Sequence, residues 1–565
     1  MKSVCALLLI LSIMPGCSPN DTPTPQPVQP VVQDPVHYID NGLGPLDRRT
    51  FYHLAEGSEI FPLVLVKAAR DKKTKKPFID VLENYGFIKD PNPTGAQDQK
   101  SLGYVGLTVS QKKGVDMVGV NCAACHVGQI EANGKQIRID GAPNMLAINQ
   151  FFVELAAALK PPNLIVLAEE IGKEFLSKGG KGEKPSVDDI VKYVEHVVAL
   201  GALQNGTPAL AGRADAFGAA RALFFGDKQP LTAPASLPFL WGFQTTAWYH
   251  YIGNTESALE RNIGQSLGLG ASFDTRTCET GILFDNLNQM EKLAYKVHAP
   301  AWPTDLLGSI ETEKAAAGKS VYMEKCAKCH DNYNDVDNGG PRHNYLQFPL
   351  SVVNTDEAEA FNTARKVTIN QNMCTSDPPK NVSMPFSAAH EIFVGRIRDT
   401  YFKAHPDQQA QMANWGDHRV ASRWVDPLQP PMCNGNQKNC KIYVAKSLVG
   451  VWATAPYLHN GSVPTIAELL KPENERMKTF AVGRRTYDTV NLGYSTDIVD
   501  TAPPFQVEQD GKPIIGNSNK GHSGTLFGTD LSPEQKSQLM EFLKSMKDGD
   551  QEKIRKEFQS KRSSS

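Results

Sequence analysis

Apolar residues along this chain recur mainly in stripes at helical spacing, broken by loops. Ile148 to Leu159 predicts a helix stopped by Pro161 and Pro162. Leu164, Leu167, Ala168, Ile171 and Phe175 predict another, ended by Gly179 and Gly180. Ser186, with Asp189 three residues on, opens a third as a variant capping box that runs through Ile190, Val194 and Val197. Farther along, Thr312 to Cys326 places Ala315, Gly318, Val321 and Tyr322 on one helical face. Near the end, Ser532 caps a helix, Pro533 takes its first position and Gln535 completes a capping box. Leu539, Leu543 and Met546 make its apolar stripe, and the polar tail beyond Asp548 is expected to fray. These stripes are core positions and carry no chemistry of their own. The fold class they imply is mainly α, with long loops and few short strands.

The N-terminus departs from this pattern. Lys2 precedes an apolar run, Ala6 to Met14, too brief to span a bilayer. Residues 1–17 read as an export signal of lipoprotein type, with Gly16-Cys17 as the cleavage point. Met14 and Pro15 depart from the usual Leu-small-Gly-Cys form. Residues 18–40 hold Pro19, Pro23, Pro25, Pro27, Pro30 and Pro35 and read as an extended tether. The mature chain is therefore expected in the periplasm, anchored to the outer membrane as a lipoprotein, or secreted, touching membrane only through an N-terminal lipid.

Composition narrows the classes. A chain of 565 residues exceeds one small domain, and 41% hydrophobic with 21% charged residues is ordinary for a globular protein. A formal charge of −2 forces no basic face, so nucleic acid is not an expected partner. The 45 glycines and 38 prolines suit a loop-rich fold.

Two Cys-x-x-Cys-His pentads carry the chemistry: Cys122-Ala-Ala-Cys125-His126 and Cys326-Ala-Lys-Cys329-His330. The pentad is the attachment sequence of c-type haem: two thiols reach the porphyrin vinyl groups and the adjacent imidazole ligates the iron. A zinc or redox Cys pair followed by chance by a His is the competing reading, which an exported chain disfavours. Two covalently bound haem c groups are expected, one in an N-terminal haem domain, 41–300, and one in a C-terminal cytochrome c domain, 301–548, followed by the polar tail 549–565. Apart from Cys5, Cys17 and the haem thiols, Cys278, Cys374, Cys433 and Cys440 remain. Four cysteines allow three pairings. Cys433 and Cys440 flank a short loop and could close locally, leaving Cys278 with Cys374.

What lies opposite each His decides function, because an iron with two strong ligands only passes electrons, whereas an open one binds dioxygen or peroxide. His522, in the Gly516-to-His522 loop before the last helix, is the candidate second ligand of the C-terminal haem, with Met477 and His459 as rivals.

The run Gly450-Val-Trp-Ala-Thr-Ala-Pro-Tyr-Leu-His459-Asn-Gly-Ser-Val-Pro-Thr465 and the loop Gly516-Asn-Ser-Asn-Lys-Gly-His522 resemble the di-haem rubber oxygenases. They resemble equally the related di-haem fatty-acid dioxygenases, within the bacterial cytochrome c peroxidase superfamily. Gly141-Ala-Pro, Glu260-Arg261-Asn262 and Phe480-x-x-Gly483 with Tyr487-Asp488 add to the likeness, which covers roughly residues 100–545. It implies dioxygen binding at the haem of Cys122, Cys125 and His126. The haem of Cys326, Cys329, His330 and His522 would be six-coordinate and would tune or re-reduce the first. His459 would lie near the haems as a positioning residue. Aromatic rings would line the first distal pocket, here Phe239-Leu-Trp241-Gly-Phe243 through Trp248-Tyr-His250-Tyr251. The family places an acidic residue after this cluster, and Tyr251-Ile252-Gly253 lacks it, so His250 could cap the first iron instead. By superfamily analogy calcium could lie between the domains, although no acidic loop calls for it.

Three functions are consistent with this reading. The favoured one is an exported oxygenase joining dioxygen to C=C bonds of an apolar substrate, an unsaturated fatty acid or polyisoprenoid. The alternative is a di-haem peroxidase, with peroxide as substrate and a periplasmic electron donor as partner. The third is an electron carrier with both irons saturated.

Overall fold

The computed structural model describes residues 35–59, 61–90, 101–112, 115–158, 169, 171–173, 176–177, 206–337, 341–411, 415–416, 441–498 and 503–563. The export signal, most of the tether, the predicted Ser186 helix and the Cys433/Cys440 pair lie outside these residues. So does most of the predicted helix containing Leu164.

From Val36 on, the described residues form one compact unit. Helices are joined by strands of two to six residues, gathered into two- and three-stranded sheets. The strands are more numerous than the hydrophobic pattern suggested. Asn133 and Gly134, both at positive φ, turn Val127–Ala132 back onto Lys135–Asp140. Asn-Gly is the two-residue hairpin signal, and it overrides the weak alternation of the flanking residues. His37–Tyr38, at the end of the predicted tether, pairs in parallel with Ile137–Arg138 of this hairpin.

The predicted helices around the second pentad form as Thr312–Lys325 and Pro533–Ser545, and the Ser532–Gln535 capping box is complete. They cross at Gly318, where a Cβ would lie 1.9 Å from the Gln538 carbonyl oxygen. Only glycine allows this backbone-to-backbone approach. The tail does not fray: Asp550–Ser563 is a helix. Ile554 is buried, and Glu552 accepts from Tyr333 Oη at 2.9 Å. The sequence pattern missed this helix because only Ile554 and Phe558 pack into the main apolar cluster, and the rest of its hold on the body is polar.

The largest apolar cluster joins both halves of the chain, from Phe51, Ala123 and Leu240 through Trp302 and Tyr322 to Trp452 and Leu539. Cys278 and Cys374 form a disulfide. Among the described residues, no helix is long and apolar enough to cross a membrane, and no group of three or more His, Cys, Asp or Glu side chains is gathered as for a metal ion.

Candidate haem sites

The first pentad begins in a short helix, Cys122–Cys125. Asn121 caps it by accepting from Ala123 N–H at 3.0 Å, while its amide donates to the Phe51 and Leu54 carbonyls. Gly106, at φ +75°, lets the preceding chain come so close that a Cβ would sit 2.1 Å from Ala124 N. His126 Nδ1 lies 2.8 Å from the Pro238 carbonyl oxygen and therefore donates to it. That fixes the tautomer and leaves Nε2 as a free lone pair, the usual posture of a metal-ligating imidazole. Burial pushes His126 down to about 4, so the ring is neutral near pH 7.

Cys125 and His126 border a cavity of about 470 Å³, within the range of about 300–1,000 Å³ typical of cofactor pockets. Phe152, Phe217, Leu237, Phe243 and Trp248 give it an apolar wall, and Arg261 and Lys446 bring two cations to it. One Arg261 nitrogen donates to Glu291 at 3.0 Å, whereas its buried Nε has no partner. Spare donors beside the Cys125 thiol and a free imidazole nitrogen suit a haem, whose propionates are anionic, while the Cys122 thiol donates to Glu56 at 3.3 Å outside the cavity lining.

Of the residues predicted around this pocket, Phe243, Trp248 and His250 line it. Phe239, Trp241 and Tyr251 do not. Trp241 turns into the core, donating from Nε1 to the Val449 carbonyl at 2.9 Å and stacking on Phe239 at 4.7 Å. His250 sits at φ +63°, its Nδ1 is paired with Asn254, and burial lowers it to about 3. The sequence reading overlooked His390, which also lines the cavity from helix Phe386–Ala404. Its ring packs on Gly264, where a Cβ would approach it to 3.1 Å. A mid-helix glycine opposite a helical histidine, far apart in sequence, leaves no local signal.

At the second pentad, His330 Nδ1 donates to the Lys446 carbonyl at 2.6 Å. The rings of His330 and His522 stand 6.5 Å apart, centroid to centroid. Metal–imidazole bonds of about 2.0–2.1 Å on either side of one ion put two ring centroids about 6 Å apart, so the pair fits a bis-histidine haem iron. Met477, the rival, has its backbone N–H on Glu468 and its carbonyl on Asn519. His522 Nδ1 is buried with no protein partner, and Arg213, which donates to Gly516 O and Asn517 Oδ1 at the start of the same loop, keeps Nε and Nη1 unpartnered.

The loop that delivers His522 is clamped by Arg476, another residue the sequence reading missed. Its guanidinium donates to the Asn519 and Gly521 carbonyls at 2.7 Å, to His522 O at 2.9 Å and to Leu469 O at 3.0 Å. Asn460, within the predicted motif, donates to Ser518 O at 2.9 Å. The C-terminal helix adds Gln551 Nε2 to His330 O at 3.2 Å.

Residues 442–481 match the family model described as RoxA-like, cytochrome c-like. That RoxA-like segment contains His459 and also Lys446, Asn460 and Arg476, the groups that hold His330 and the His522 loop. A cytochrome c-like segment goes with covalently bound haem c and marks a haem cytochrome. Across its length the chain is similar to the uncharacterized protein y4iJ of Sinorhizobium fredii, 27% identical over 601 residues, covering 91% of this chain and 94% of y4iJ. It is also similar to y4iM of the same organism, likewise uncharacterized, at 25% over 320 residues, or 55% of this chain and 61% of y4iM.

Proposed function

We propose that this chain is an exported di-haem c-type cytochrome oxidoreductase, a dioxygenase acting on C=C bonds of an apolar substrate at the His126 site. The observation that carries this reading is the aromatic-walled cavity beside His126. A haem bound there supplies an iron at which dioxygen or peroxide reacts. The chain's own contribution is to orient His126 through Pro238, to exclude water with Phe152, Phe217, Phe243 and Trp248, and to pack an apolar alkene against those rings. His330 and His522 fit two-sided ligation, which suits electron transfer at the second site. Both oxygen atoms of dioxygen would enter the product, so turnover needs no stoichiometric external donor.

A peroxidase reading has one observation in its favour. His250 and His390 both reach the same cavity as neutral imidazoles, and peroxide cleavage needs a proton carrier there. Carbon monoxide titration of the reduced protein, followed by dioxygen uptake with an unsaturated fatty acid and no peroxide, tests the proposal. Carbon monoxide at one haem of two with lipid-dependent uptake is expected. Open binding without uptake, but with peroxide-dependent oxidation of a reduced donor, would favour the peroxidase. No binding at either haem would leave an electron carrier.

A further inference from the structure

The carbonyls that orient the two pentad histidines belong to segments tied together by one residue. Pro238, which accepts from His126, lies two residues after Ser236 in strand Ala235–Ser236. Lys446, which accepts from His330, lies three residues after Tyr443 in strand Ile442–Val444. His459 touches both strands. Its carbonyl accepts the Ser236 N–H at 2.7 Å, and its Nε2 lies 3.2 Å from Tyr443 Oη. Tyr443 has a single hydroxyl proton, which goes to the Asp356 carbonyl at 2.8 Å, so His459 Nε2 donates to Tyr443. Asp356 carries the chain of contacts onward: its carboxylate accepts the Ser518 N–H at 3.1 Å, in the loop that delivers His522. A second tie runs from Val444 N–H to the Tyr251 carbonyl at 2.8 Å, with the Tyr251 ring 6.2 Å from that of His459.

We propose that His459 is a positioning residue that couples the two haem sites, holding the carbonyl acceptors of His126 and His330 in one hydrogen-bonded frame. The inference rests on the two-haem reading above. The N–H···O=C bond behind a ligating imidazole sets that ligand's orientation and basicity, and hence the potential of the metal it binds. A frame joined to both bonds transmits a change at either site to the other, and such coupling is reciprocal.

The test is a spectroelectrochemical titration of the holoprotein, with mass spectrometry to count covalent haems. His459→Ala keeps the backbone carbonyl and removes the side-chain donor, and is expected to shift both midpoint potentials. His459→Gln restores a donor toward Tyr443 and is expected to return both toward the native values. Arg476→Lys, which disturbs the His522 loop directly and reaches the first site only through this frame, is expected to move the second potential more than the first. Tyr443→Phe removes just the hydroxyl and decides the matter if His459→Ala fails to fold. It too is expected to shift both potentials. Two haems bound with one potential or neither shifted in His459→Ala and Tyr443→Phe overturns the coupling alone. A wild-type mass with fewer than two haems overturns the two-haem reading and this inference with it.

Discussion

At the scale of single residues, carbonyls and a guanidinium do the precise work, and the side chains that stand out in the sequence depend on them. Arg476 is buried and spends its donors on backbone carbonyls around His522, a fork geometry that a lysine ammonium does not reproduce. On the proposed two-haem reading, Arg476→Lys is therefore expected to loosen His522, adding carbon monoxide binding at the second haem that absorption spectroscopy detects. Glu359 presents a separate case. Burial pushes its carboxyl up to about 8, with Asp215 raising it further and Lys446 lowering it, and Oε2 has no hydrogen-bond partner. A raised folded-state value means the folded protein holds this proton more tightly than the unfolded chain. Its contribution is thus fully present below the ordinary carboxylate range and lost as pH rises through about 8. The slope of that loss is up to about 1.4 kcal/mol per pH unit. Glu359→Gln should flatten the stability profile between pH 5 and 8 by about that slope in urea melts, with little change at pH 4.

At the scale of elements, the helix crossing at Gly318 and the C-terminal helix fix the second pentad. A methyl at residue 318 would meet the Gln538 carbonyl, so Gly318→Ala should destabilise the fold by about 1–3 kcal/mol or more, read as a lowered denaturation midpoint. Deleting residues 550–563 removes the Gln551 bond to His330 O and the Tyr333–Glu552 bond. On the proposed two-haem reading, the truncated protein should retain haem at the first pentad and show a broadened or weakened spectrum from the second. The caps at Ser532 and Pro533 were legible in the sequence because capping is a local code. The last helix was not, since its partners, His330 and Tyr333, lie more than two hundred residues away.

At the scale of the whole molecule, one apolar cluster runs from Phe51 to Leu539 and a disulfide joins Cys278 to Cys374, 96 residues apart. Cys278→Ser should cost about 2–4 kcal/mol in denaturant titration of the oxidised protein. The sequence by itself determined the two pentads, the helix caps and the motif holding His459 and Asn460, because each depends on residues close together along the chain. The family resemblance grouped Phe243, Trp248 and His250, which line one cavity, with Trp241, whose indole is drawn into the core by the Val449 carbonyl. Only the tertiary structure decided which carbonyl each pentad histidine meets, that His390 shares the first cavity with His250, and that Arg476 secures the His522 loop. Those contacts join segments dozens to hundreds of residues apart, many through backbone atoms that every residue carries, so no residue type marks them in advance.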